Sequence, residues 1–116
     1  MTGLSIGKAL IMRAISGKAG VYMFLNLTNG KMYIGSSISL ARRFRSHIHS
    51  LLKGHLPLYR AINLYGLNNF AFILLEECEN NVQTTVPLEQ KYLDLYNPEY
   101  NILKEALLVL NTLKKQ

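Results

Sequence analysis

Cysteine is nearly absent from this chain: Cys78 stands alone, which excludes an internal disulfide and a Cys-rich zinc site. A reducing compartment is thereby permitted. No apolar run approaches the roughly 18 residues that would suggest a membrane span. Internal repeats and low-complexity tracts are missing too. No G-x-S-x-G nucleophile elbow is present, so Ser36-Ser37 with His47 makes a poor hydrolase pair. His47 and His49 sit two apart on an expected helix and point in different directions, which argues against zinc. Acids are scarce as well, at 7 against 13 lysines and arginines. The resulting net charge of +6, with a pI near 9.6, favours a polyanionic partner.

What is present is the makings of one small domain. At 116 residues and 49% apolar content the chain supports a single modest core. Asn29-Gly30 lies between two apolar, partly alternating runs, Val21–Leu27 and Lys31–Ile34, and predicts a β-hairpin because a tight turn needs positive φ. The strands are expected over Gly20–Asn26 and Lys31–Gly35. A helix capped by Ser39 and ended by Gly54 follows, with Leu40, Phe44, Ile48, Leu51 and Leu52 as its core stripe. A second helix runs from Pro57 to Gly66, burying Leu58, Ala61, Ile62 and Tyr65. Phe70–Glu77 reads as a third strand and residues 79–85 as a polar loop. Pro87 opens a third helix, Leu88 to about Tyr96, with Leu88, Tyr92, Leu95 and Tyr96 buried. Asn97-Pro98 stops it, and Tyr100–Leu103 reads as a short extended segment. Residues 1–17 form a weak helix or a loose lead-in whose acid-free composition is like that of a transit peptide; an adaptor tail reads equally well. The expected architecture is α+β: a small antiparallel three-stranded sheet in β-β-α-α-β-α order, flanked by helices.

Several polar residues fall where chemistry could use them. The hairpin sets Tyr22 and Tyr33 on neighbouring strands, and the next helix brings Arg42, Arg43 and Arg45. Arg43 and His47 are four apart and share a face. Glu89 falls at the edge of the apolar face of its helix, where a carboxylate needs a partner, and a divalent cation is one. Each residue alone has a plain reading. Tyrosines in strands usually pack, Arg43 is a solvated helix arginine, Glu89 suits a helix first turn, and Asn101 is a turn residue.

Taken together, Gly20-Val21-Tyr22, Tyr33-Ile34-Gly35, Arg43 eight residues later, Glu89 and Asn101 resemble the GIY-YIG nuclease family in that order. Val21 replaces the family's isoleucine. The likeness covers about residues 20–103 and is nearest to the catalytic domains of intron-encoded homing endonucleases of fungal mitochondria. It implies a metal-dependent DNA endonuclease with Tyr22 as general base, Tyr33 assisting it and Arg43 on the scissile phosphate. Glu89 would hold Mg²⁺ or another divalent cation such as Mn²⁺, His47 would donate a proton or contact phosphate, and Asn101 would orient the site. Lys31, Ser36, Arg42 and Arg45 would touch flanking DNA, positioning it without reading sequence. A tyrosine base requires neighbouring positive charge to lower a phenol that ordinarily titrates near ~10. Double-stranded DNA is the implied partner, a monomer the expected state with a partner protein left open, and the mitochondrion the implied location. The expected division is a lead-in over 1–17, a catalytic domain over 18–104 and a short amphipathic tail over 105–116 in place of a DNA-reading module. A tail of that kind also leaves room for a non-catalytic nucleic-acid-binding remnant.

Overall fold

The computed structural model describes residues 3–102. The readings of residues 1–2, of Leu103 and of the tail lie outside them. In chain order the elements are α1 (Gly3–Ile15), β1 (Ala19–Asn26), β2 (Met32–Ser37), α2 (Leu40–Ser50), α3 (Pro57–Tyr65), β3 (Phe70–Cys78) and α4 (Val82–Tyr96). The strands form one antiparallel sheet in the order β2-β1-β3, so the first strand is the central one. The expected β-β-α-α-β-α order is present, preceded by a full helix where the sequence suggested only a weak one. Among the described residues no helix is long and apolar enough to cross a membrane.

Alternation along β1 explains the two-sided core. Tyr22 and Phe24 face α2 and α3, packing with Leu40, Phe44, Leu58, Ile62 and Phe70. Val21 and Met23 face the other way, onto α4, with Ile34 and Leu93. Such a central strand is buried on both faces and reads as a continuous apolar run rather than an alternating one. Register between β1 and β3 slips between Val21 and Tyr22, which oppose Glu76 and Leu74 and leave Leu75 as the extra residue of a bulge.

The hairpin forms as expected, but its loop is wider than a two-residue Asn-Gly turn. Asn26 N–H donates to the Lys31 carbonyl at 2.8 Å, and Gly30 N–H donates to the Asn26 carbonyl at 2.8 Å. Only Gly30, at φ +78°, takes the left-handed conformation. Asn26 itself is fully buried and organises this end: its Oδ1 accepts from Thr28 N–H, and its Nδ2 donates to the Tyr100 hydroxyl at 3.1 Å.

Three helix readings are corrected. α2 ends at Ser50, short of Gly54, so Leu52 is 89% exposed rather than part of the stripe, and Ser39 occupies the N-cap position without a side-chain capping bond. On α3, Tyr65 is exposed and Tyr59 is buried in its stead. α4 begins at Val82, inside the expected loop. Asn81 caps it by accepting from Thr84 N–H at 2.8 Å, and Pro87 lies inside the helix instead of opening it. The buried face also differs from the expected one: Thr85 and Leu93 are buried, while Leu95 and Tyr96 are exposed. Glu89 therefore lies midway between Thr85 and Leu93, each four residues away, in line with the buried face rather than at its edge. Tyr100 and Asn101 form a turn against β2 rather than an extended segment.

Candidate active site

The sheet is three strands wide, and β2 is an edge. Around that edge the two faces of the molecule meet. Tyr33 and Gly35 look toward α2; Ile34 and Ser36 look toward α4. Polar side chains from β1, β2, α2, α3 and α4 are thus gathered at one place.

On the α2 side, Tyr22 is 2% exposed and its hydroxyl meets His47 Nε2 at 2.7 Å. The other ring nitrogen, Nδ1, meets the Tyr59 hydroxyl at 2.8 Å. Around this imidazole stand the rings of Tyr22, Phe24, Tyr33 and Tyr59, with centroids 5.2 to 5.8 Å away. Burial in this aromatic surround, aided by the positive charge of Arg43, lowers His47 from 6.5 to about 4 and keeps it neutral at physiological pH. Burial also holds the Tyr22 hydroxyl well above 10, and Tyr33 rises to about 12 through burial and the charge of Glu89. Arg43 pulls both phenols down, but burial outweighs it. The sequence reading required neighbouring positive charge to lower the base; the protein's own groups leave it a phenol.

On the α4 side, Glu89 accepts a short hydrogen bond from the Ser36 hydroxyl. Burial raises its carboxyl above 4.5, against the opposing effects of Ser36 and Arg43. A hollow of about 290 Å³ beside it is lined in part by Tyr33, Glu89 and Asn101. The described residues hold no group of three or more His, Cys, Asp or Glu that could cage a metal. One carboxylate facing a roomy hollow suits a hard cation such as Mg²⁺, which keeps most of its water and takes few protein ligands. The donor set therefore fits the implied ion.

Asn101 holds the strand edge. Its Oδ1 accepts from Ile34 N–H at 2.9 Å and its Nδ2 donates to the Ile34 carbonyl at 2.8 Å, so one side chain answers both outward groups of that residue. Tyr100 N–H donates to the Met32 carbonyl at 3.0 Å, and the Glu99 carboxylate accepts from Met32 N–H at 3.3 Å.

Arg42 and Arg43 are exposed and border a hollow of about 380 Å³ with Ser37, Ser39 and Ser46, at the start of α2. Among the described residues neither arginine makes a salt bridge. The structure thus gathers Tyr22, Tyr33, Ser36, Arg43, His47, Glu89 and Asn101, with Arg42 alongside. Arg45, two positions beyond Arg43, turns to another side of α2. Lys31 sits in the hairpin loop, about 13 Å along the strand from Gly35 at ~3.3 Å per residue. Sequence reasoning missed Tyr59 and Asn26, whose roles come wholly from partners distant in sequence.

The arrangement defines a class. Residues 18–101 match the GIY-YIG catalytic domain, and the chain belongs to that family. Among curated relatives, the probable intron-encoded endonuclease bI1 of Neurospora crassa is 40% identical over 95 residues, covering 76% of this chain and 21% of that protein. The intron-associated endonuclease 1 of Enterobacteria phage T4 is 30% identical, covering 72% of this chain and 35% of that protein. The solved catalytic domain of homing endonuclease I-TevI superposes with a TM-score of 0.67 at 29% identity, over 74% of this chain and 99% of that domain. The chain spans about a fifth to a third of the length of these curated relatives, and the shared region is their catalytic part.

Proposed function

We propose that this chain is a metal-dependent DNA endonuclease domain that hydrolyses phosphodiester bonds in double-stranded DNA. The observation that carries this reading is the convergence of a buried Tyr22–His47 pair, the Arg43 charge and the Glu89 carboxylate at the edge of β2. A divalent cation at Glu89, Mg²⁺ or Mn²⁺, would supply charge neutralisation for the leaving oxygen. Arg43 presents a planar fork, always charged, to the oxygens of the scissile phosphate. Tyr22 gives its O–H proton to His47 Nε2 and takes one from the attacking water as the new P–O bond forms and the old one breaks. Asn101 holds β2, the strand that carries Tyr33, in register with the strand that carries Tyr22. Ser36 aims Glu89 by donating to it, while Arg42, Arg45 and Lys31 are left for flanking phosphates, an affinity that falls as salt rises. By resemblance, the compartment is the mitochondrion.

Incubating the purified chain with supercoiled plasmid at low salt, with Mg²⁺ or chelator, tests this. Nicking should require the metal and fall about 10²–10³-fold in Glu89→Ala, on the scale of losing one preorganised electrostatic group. Salt-sensitive DNA binding without nicking in any divalent metal would replace the enzyme reading with that of a non-catalytic DNA binder. Nicking that survives Glu89→Ala would overturn the metal assignment.

A further inference from the structure

We infer that Tyr59, on α3, is a positioning residue for this reaction: its hydroxyl sets the hydrogen-bond polarity of His47 and gives the Tyr22 proton a route out of the site. The inference rests on the reading of Tyr22 as the group that takes a proton from water. His47 is 3% exposed, and each ring nitrogen faces a phenol, Nε2 toward Tyr22 at 2.7 Å and Nδ1 toward Tyr59 at 2.8 Å. A neutral imidazole has one N–H and one lone pair, so it cannot donate to both phenols or accept from both. While Tyr22 keeps its proton and donates to Nε2, the ring must carry its proton on Nδ1 and donate to Tyr59. The Tyr59 O–H is then turned away from the ring, with Ser50 beside it.

A shift of one proton at each link converts this arrangement into its mirror. The Tyr22 O–H bond breaks as Nε2–H forms; Nδ1–H breaks as a new O–H bond forms on Tyr59; the original Tyr59 proton leaves to solvent past the half-buried Ser50. Tyr22 is left as a phenolate that accepts from Nε2–H, and the imidazole never becomes a cation. An imidazolium would sit 3% exposed among four aromatic rings with both nitrogens on neutral phenols, and Arg43 opposes it as well. Without Tyr59 the ring would have to hold the Tyr22 proton as a full charge in an apolar surround.

Two glycines make room for the phenols on either side of His47. A Cβ on Gly35 would stand 2.5 Å from the Tyr22 hydroxyl, and a Cβ on Gly54 would stand 2.3 Å from the Tyr59 ring. Both phenols that flank His47 thus pack against backbone that has no side chain. Gly54, four residues beyond the end of α2, donates its N–H to the Ser50 carbonyl at 2.7 Å and leaves room for the Tyr59 ring.

The test uses the whole chain with ¹⁵N-labelled histidine, whose ring nitrogen shifts separate the two tautomers; His47→Gln identifies the His47 signals. In the unaltered protein at neutral pH, His47 should be the Nδ1–H tautomer. Tyr59→Phe removes only the hydroxyl: it should abolish that preference and slow single-turnover nicking about tenfold, part of the 10²–10⁴ that positioned proton transfer contributes. DNA affinity should be unchanged. An Nε2–H tautomer or an imidazolium in the unaltered protein would overturn the inference, as would a folded Tyr59→Phe that keeps both tautomer and rate. If Tyr59→Phe does not fold, the tautomer in the unaltered chain decides. If the unaltered chain nicks nothing, the endonuclease reading fails, while the tautomer comparison still reports on Tyr59.

Discussion

Replacing Asn101 with alanine should loosen the edge of the sheet by an amount the structure lets one work out. Two hydrogen bonds are lost, at 2.9 and 2.8 Å, both to the backbone of Ile34. A typical intramolecular hydrogen bond contributes about 1 kcal/mol net, so the direct loss is about 2 kcal/mol. Ile34 and Asn101 both line the hollow beside Glu89, so truncation opens the freed groups to water and the larger penalty of stranding them dry does not apply. For a domain of this size that corresponds to a fall of about 10 °C in Tm. Asn101→Asp should be worse than alanine at neutral pH, because a second acceptor then faces the Ile34 carbonyl, where Nδ2 now donates. Urea unfolding followed by circular dichroism measures this, with a shift in midpoint at constant m-value. An alanine variant as stable as the parent, or an aspartate variant more stable than the alanine one, would refute the reasoning.

Acid should destabilise the fold through His47. Its folded value of about 4 lies below the ordinary 6.5, so between those values the unfolded chain binds the extra proton and stability falls as pH falls. The full gap is worth roughly 3 kcal/mol at about 1.4 kcal/mol per unit. Glu89, raised above 4.5, has the opposite sign and gains stability as pH falls through its folded value. His47→Gln isolates the histidine: its unfolding midpoint should drop less than the parent's between about pH 7 and about pH 5, and an equal drop would contradict the assignment. Gly35→Ala places a Cβ 2.5 Å from the Tyr22 hydroxyl and 2.7 Å from its Cζ, so strand or ring must move. A cost of about 1–3 kcal/mol and a drop in nicking rate are expected, checked by thermal melting and plasmid assay. A variant as stable and active as the parent would show that the ring yields without cost.

How far the sequence could be read depended on whether a residue's role was local. The hairpin was legible because alternation and Asn29-Gly30 are short-range signals, and the three strands fall within two residues of their expected bounds. The start of α4 was misread because Pro87 is a strong first-turn signal. Asn81 caps a helix that begins five residues earlier, and the fold tolerates the N–H that Pro87 lacks. The packing of α4 on the sheet, which no local signal records, leaves Leu95 and Tyr96 out of the core and Glu89 in line with Thr85 and Leu93. In the site, Tyr22, Tyr33, Arg43, His47, Glu89 and Asn101 could be named because the family spacing fixes them in order. Tyr59 and Asn26 have no such spacing. Their importance lies in partners 12 and 74 residues away, which no local pattern records.

The Glu99–Asn101 turn also bears on how copies of this chain behave toward one another. An edge strand with open N–H and C=O groups is a template on which another chain can grow a sheet. Here both outward groups of Met32 and both of Ile34 are already spoken for. An incoming strand would have to displace four hydrogen bonds to pair along Met32 and Ile34. The same turn that frames the hollow beside Glu89 therefore acts as a guard against aggregation, and loss of Asn101 would uncover a sticky rim as well as loosen a strand.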